Sequence, residues 1–112
     1  MNVSSSTTFA ALAEPTRLSI IDMLASRGEL AASDISKAFS CTPSAISQHL
    51  KVLREAGLAR MQKRGQQRVY SLNPTPITEA GLWLQERTNQ WNARLDAMET
   101  YMTEQTNKKE NE

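Results

Sequence analysis

One cysteine, Cys41, leaves the chain without a partner for an internal disulfide, which agrees with a reducing compartment. No stretch approaches the roughly 20 apolar residues of a membrane span, and the start MNVSSSTTF has neither a basic leader nor an apolar run of signal-peptide length. A cytoplasmic protein without a membrane partner is expected. Aromatic residues are scarce, at 5%, and the hydrophobic 39% is mostly alanine, leucine, isoleucine and methionine, which favours helices packed by aliphatic side chains over a sandwich or barrel. His49 is the only histidine, no glycine-rich phosphate loop is present, and the acidic residues do not converge on a pocket. Cys41 and His49 lie eight positions apart along a turn and a helix, about 12 Å, too far for a nucleophile and its base. No enzyme activity and no cofactor are expected.

What the chain does have is charge in one place. Its 112 residues carry a net charge of only +1, but between Ile35 and Thr78 the charged residues are Lys37, Lys51, Arg54, Glu55, Arg60, Lys63, Arg64 and Arg68. That window carries +6 and leaves −5 for the remainder, so the middle of the chain is expected to face a polyanion or water.

The order of elements reads as mainly α with a small β-hairpin. Ser4 to Ala13 predicts a short helix with Phe9 and Leu12 on one side. A second helix starts at Pro15 and stops at Gly28, with Leu18, Ile21 and Leu24 at helical spacing and Ile20 and Met23 widening the stripe. Glu29 to Ala31 suits a small edge strand. SDISKAFS predicts a two-turn helix with Ile35 and Phe39 inside and Ser33 or a neighbour as its cap. After Ser40, Cys41 and Thr42 comes TPSAISQHLKVLREAGL, with Thr42 as cap, Pro43 in the first turn and Gly57 as the stop. The alternating segments LARMQK and QRVYSL around Arg64-Gly65-Gln66 predict a hairpin. Asn73-Pro74-Thr75-Pro76 breaks the chain before a long helix from about Ile77 towards Thr106. One domain is expected over 1–107, with 108–112 a polar, disordered tail.

Two helices joined by a short turn and followed at once by a basic hairpin make a winged helix-turn-helix, with one helix for the major groove and a wing for the flanking backbone or minor groove. On a helical wheel Ile46, Leu50 and Leu53 share the core side of the second helix, and Ser44, Gln48, Lys51 and Glu55 face away, flanked by Ser47 and Arg54. Short hydroxyls at a helix N-terminus permit close approach to phosphate or base edges, Gln48 suits adenine, and Lys51 and Arg54 suit phosphates. Arg60, Lys63, Arg64 and Arg68 fall within nine positions without one acid, and Gly65 sets Arg64 at the tip. These nine residues, Ser44, Ser47, Gln48, Lys51, Arg54, Arg60, Lys63, Arg64 and Arg68, are the expected contacts to double-stranded DNA.

The long last helix repeats Ile77, Leu84, Trp91 and Met98 every seven residues, with Gly81, Thr88, Leu95 and Met102 in a second heptad position. A small domain cannot easily cover that seam, so a homodimer through the terminal helices is expected, with Phe9, Leu12, Leu84, Trp91, Leu95, Met98 and Met102 at its interface. Twofold symmetry would set two reading helices about 34 Å apart, one DNA turn.

The segments LAEPTRLSIIDML, TPSAISQHLKVLREAGL and RVYSLNP, in this order and spacing, resemble the ArsR/SmtB family of winged-helix transcriptional repressors from Leu12 to about Leu95. The resemblance implies a homodimeric repressor on a short inverted repeat near a promoter. Many members of that family sense metal through two cysteines in an E-L-C-V-C-D-L segment. The aligned stretch here runs from Glu29 to Ile35 and puts Ala31 and Ser33 in the thiolate positions, neither of which supplies a charged sulfur. The family's histidine and carboxylate site on the last helix lacks its histidine here, so no metal is expected. Cys41 reads as a small structural residue and His49, at the edge of the core side of its helix, as a packed or backbone-bonded imidazole; the family pattern also carries histidine there, beside the DNA face. Three alternatives remain open: a regulator sensing an organic inducer near Trp83, Trp91 and Met98, a winged-helix protein-interaction module without a DNA target, and, third, a metal-sensing regulator.

Overall fold

A computed structural model describes residues 3–110. The order is α1 (Val3–Leu12), α2 (Pro15–Arg27), β1 (Leu30–Ala31), α3 (Ala32–Lys37), α4 (Pro43–Glu55), β2 (Ala59–Arg64), β3 (Gln67–Leu72) and α5 (Thr75–Glu110). The chain divides into two compact units, one ending at Ala80 and the other starting at Gly81, with α5 running from the first into the second.

Within the first unit, local chemistry sets the boundaries. The Glu14 carboxylate accepts from the Arg17 backbone N–H at 2.9 Å and so caps α2, with Pro15 in the first turn, where its missing N–H costs nothing. Gly28 ends α2 at φ +80, a backbone region that L side chains avoid. Thr42 Oγ1 accepts from the Ala45 N–H at 3.1 Å and caps α4 in the same way.

The core gathers Ile20, Ile21 and Leu24 of α2, Ile35 of α3, Ile46, Leu50 and Leu53 of α4, then Leu58, Ala59 and Tyr70. The sheet is antiparallel throughout in the order β1-β3-β2, with Leu30 opposite Tyr70 and Arg64 opposite Gln67 across the two-residue turn Gly65-Gln66. Gly65 takes φ +62 in the first turn position, as a tight hairpin with the right-handed twist of its strands requires.

Several details differ from expectation. The buried face of α1 is Ser5, Thr8 and Ala11, a face with no large apolar residue to announce it, whose small side chains let α1 lie close, while Phe9 and Leu12 are half-buried. Leu18 is 47% exposed, because the α2 stripe that reaches the core is Ile20, Ile21 and Leu24. α3 begins at Ala32 without any side-chain cap, since β1 leads straight into it. Pro76 lies in the first turn of α5 instead of ahead of it, and the helix continues through Glu110; the last two residues of the expected tail lie outside the described residues.

Candidate nucleic-acid interface

The hydrophobic side of α4 fixes what the other side presents. Ile46, Leu50 and Leu53 are buried to within 2% of complete, which turns Ser44, Ser47, Gln48, Lys51, Arg54 and Glu55 outward to solvent. The wing then rises beside this face. Together they enclose an open cleft of about 820 Å³ lined by Ser47, Gln48, Lys51, Arg54 and Glu55 of α4, and by Ala59, Arg60, Met61, Arg68 and Tyr70 of the hairpin.

Six of the nine expected DNA contacts therefore meet in one place: Ser47, Gln48, Lys51, Arg54, Arg60 and Arg68. Ser44 stands exposed in the first turn of α4, and Lys63 is exposed on β2 opposite Arg68. Arg64 is exposed too, but its guanidinium is engaged by the Glu29 carboxylate at 2.6 and 3.0 Å, a contact that pushes its pKa up. Among the described residues no carboxylate lies within ion-pair reach of Lys51, Arg54, Arg60, Lys63 or Arg68, so their charge is open to an outside anion.

Two supports of this face were missed from sequence. Asn73, read there only as part of a chain break, joins the base of the wing to the end of α4. Its Nδ2 donates to the Gly57 carbonyl at 2.8 Å, its backbone N–H to the Leu58 carbonyl at 2.9 Å, and its Oδ1 accepts from Arg60 Nη2 at 3.0 Å. The second lies behind α4. Arg17 Nε donates to the Ala11 carbonyl at 2.6 Å, and its Nη1 lies 3.4 Å from His49 Nδ1, itself 3.7 Å from Glu14 Oε2. Glu14 has its pKa lowered, first by the backbone N–H of Arg17 and then, against a raising effect of burial, by Thr16, His49 and Arg17. His49 thus joins α4 to the α1–α2 junction, and its contact with Arg17, 32 positions away, left no local sign.

Glu55 is the one carboxylate on the cleft lining, and it lies at the C-terminal end of α4. Cys41 is half-buried against the core and lines a separate, mostly apolar hollow with Ile46 and Leu50. Among the described residues no three His, Cys, Asp or Glu side chains gather to hold a metal, and no helix is long and apolar enough to cross a membrane. Of the expected interface residues on α5, Leu84, Trp91, Leu95, Met98 and Met102 are all exposed.

Comparison with known proteins bears on the family and the fold. The family described as "Bacterial regulatory protein, arsR family" matches residues 14–60, a span from the α2 cap into the first strand of the wing. The transcriptional repressor SdpR of Bacillus subtilis is 36% identical over 76 residues, 68% of this chain and 83% of SdpR. The arsenical resistance operon repressor of Escherichia coli is 41% identical over 66 residues, 59% of this chain and 56% of that repressor. Among solved structures, an ArsR family transcriptional regulator, RHA00566, is similar with a TM-score of 0.74 and 30% identity, over 80% of this chain and 91% of that one.

Proposed function

The chain belongs to the arsR family of bacterial regulatory proteins and is a DNA-binding transcriptional regulator, not an enzyme, and from that premise we propose that it acts as a homodimeric repressor on an inverted-repeat operator, without a metal. α4 reads the major groove. Gln48 and the hydroxyls of Ser44 and Ser47 reach base edges and the nearest phosphates, Lys51 and Arg54 meet the backbone, and Arg60, Lys63 and Arg68 carry the wing.

The observation that supports this most is the cleft between α4 and the wing, where six side chains assigned to DNA line one concave, cation-rich surface. Glu55 then marks the end of the favoured contact surface, since a carboxylate repels phosphate there.

The support for dimerisation lies mainly in the second unit. Along α5 the heptad residues from Leu84 to Met102 span about 27 Å of helix, and Trp91 and Met102 are 60% and 64% exposed. A second copy of the same seam is the partner of matching chemistry, and a twofold axis is the commonest way to supply it. Phe9 and Leu12 of α1 belong to the same proposed interface. Ala31 and Ser33 leave the soft-metal position without a thiolate, so the signal that releases DNA is not a thiophilic metal at that place.

Selection of duplexes from a random pool, followed by binding of the selected sequence at several salt concentrations, tests the reading. An inverted repeat should emerge, and log affinity should fall with log salt by about 0.9 per phosphate neutralised. A pool that stays random, or an affinity indifferent to salt, overturns it.

A further inference from the structure

Arg64 differs from the other cations of the wing. Its Nη1 donates to Glu29 Oε2 at 2.6 Å and its Nη2 to Glu29 Oε1 at 3.0 Å, the paired geometry in which guanidinium and carboxylate fit best. Nη2 also donates to Gln62 Oε1 at 3.2 Å. Glu29 directly precedes β1, Arg64 ends β2, and β3 lies between those strands, so the pair ties together the two outer edges of the sheet. β1 is only two residues long and pairs with β3 through Leu30 and Ala31. Lys63 and Arg68, opposite one another on the hairpin, have no such carboxylate among the described residues.

We infer that Glu29 and Arg64 form a clasp that stays closed on DNA, pinning the wing to β1 and leaving the wing's phosphate contacts to Lys63 and Arg68. The inference rests on the proposed reading that the wing faces DNA. A phosphate reaching Arg64 would have to displace the carboxylate, exchanging one anion for another on the same guanidinium. The freed Glu29 carboxylate would then stand beside the duplex as a repelling charge. Exchange therefore brings no new attraction and adds a repulsion, whereas the closed pair is neutral and costs DNA binding nothing. Glu29 is thus a positioning residue of the wing, and the tip arginine is a strut rather than a probe of the minor groove.

Anisotropy of a fluorescein-labelled, mixed-sequence duplex of about 30 base pairs, titrated with the full chain between roughly 50 and 200 mM KCl, reads the charge presented to DNA. Glu29→Gln should bind more tightly than wild type and steepen the salt slope by about 0.9 per bound protomer, because Arg64 is released to a phosphate. Arg64→Gln should flatten the slope, because Glu29 is left unmasked. The double variant should return to the wild-type slope, since it removes a neutral pair. A double variant flatter than wild type by about 0.9 would mean that Arg64 already holds a phosphate, and the inference fails; it fails equally if Glu29→Gln leaves the slope unmoved. Lys51→Gln separates the two readings. Flattening in that variant with no steepening in Glu29→Gln removes the clasp alone, whereas a silent Lys51→Gln removes the DNA-facing reading and the clasp with it.

Discussion

Gln48 and Lys51 sit on adjacent turns of α4 and line the same cleft, yet their chemistry divides the work. An amide pairs in two places with adenine and with no other base equally well, while an ammonium is a point charge that any phosphate satisfies. Gln48→Ala should therefore reduce discrimination at one or two base pairs by about 1–3 kcal/mol, read from competition among operator variants. Lys51→Gln should weaken all sequences alike. Equal loss on every duplex for both variants would show that the division is wrong. Behind the same helix, Glu14 supplies a prediction of different kind. Its folded pKa is lowered, chiefly by the Arg17 backbone N–H, so its contribution to stability is complete above the unfolded-state pKa and disappears as pH falls through the folded one. Thermal melts at neutral and acidic pH should differ less for Glu14→Gln than for wild type, and an unchanged difference would assign the acid sensitivity elsewhere. The outward residues of α4 were legible one by one from the wheel, because three buried aliphatic residues fix the rotation of the helix. The contacts of Arg17 with His49 and of Arg64 with Glu29 were not legible, since the partners lie 32 and 35 positions away and only the tertiary fold brings them near.

As an element, α4 is bounded by strong local signals, and its expected limits at Thr42, Pro43 and Gly57 match the observed cap, first turn and stop. The wing was legible for the same reason: alternating strands around a glycine in a two-residue turn leave few other pairings. α1 and the start of α5 were less so. Serine, threonine and alanine on the buried face of α1 give no apolar period to follow, and a proline in the first helical turn looks, without coordinates, the same as a proline that ends a loop. The joint between α4 and the wing was hidden altogether, because it depends on Asn73, whose side chain bonds the Gly57 carbonyl and Arg60 at once. That joint carries a prediction at the level of elements. Asn73→Ala removes none of the side chains proposed to contact DNA but deprives the part-buried Gly57 carbonyl and the Arg60 guanidinium of their partner, at a cost of about 1–3 kcal/mol. Denaturant melts should show that loss, and DNA affinity should fall without a change in the ranking of sequences. A changed ranking would mean that Asn73 does more than hold the wing.

At the scale of the whole molecule, the family, the winged fold and the concentration of charge were all readable from one sequence, because each depends on residues close together in the chain. Assembly depends on a surface that a single chain does not cover, and the seam of α5 is where that argument is strongest. Leu84, Trp91, Leu95, Met98 and Met102 expose apolar side chains at heptad spacing over about 27 Å of helix. Burying a side chain of that size contributes about 1.5–3 kcal/mol, so losing one central residue to a charge removes that gain and adds the cost of desolvating the charge. Met98→Glu should therefore shift the sedimentation profile from dimer to monomer while the first unit stays folded, as far-ultraviolet dichroism and an unchanged core melt would show. The consequence for DNA is geometric. A twofold pair places its two α4 helices one duplex turn apart, about 34 Å, so the wild type should prefer half-sites at that spacing and lose affinity when about five base pairs are inserted between them. A monomeric Met98→Glu has no second reading helix to misplace and should bind both spacings equally weakly. Equal tolerance of the insertion by the wild type would mean that α4 works alone, and that the exposed seam of α5 serves something other than pairing two copies on one operator.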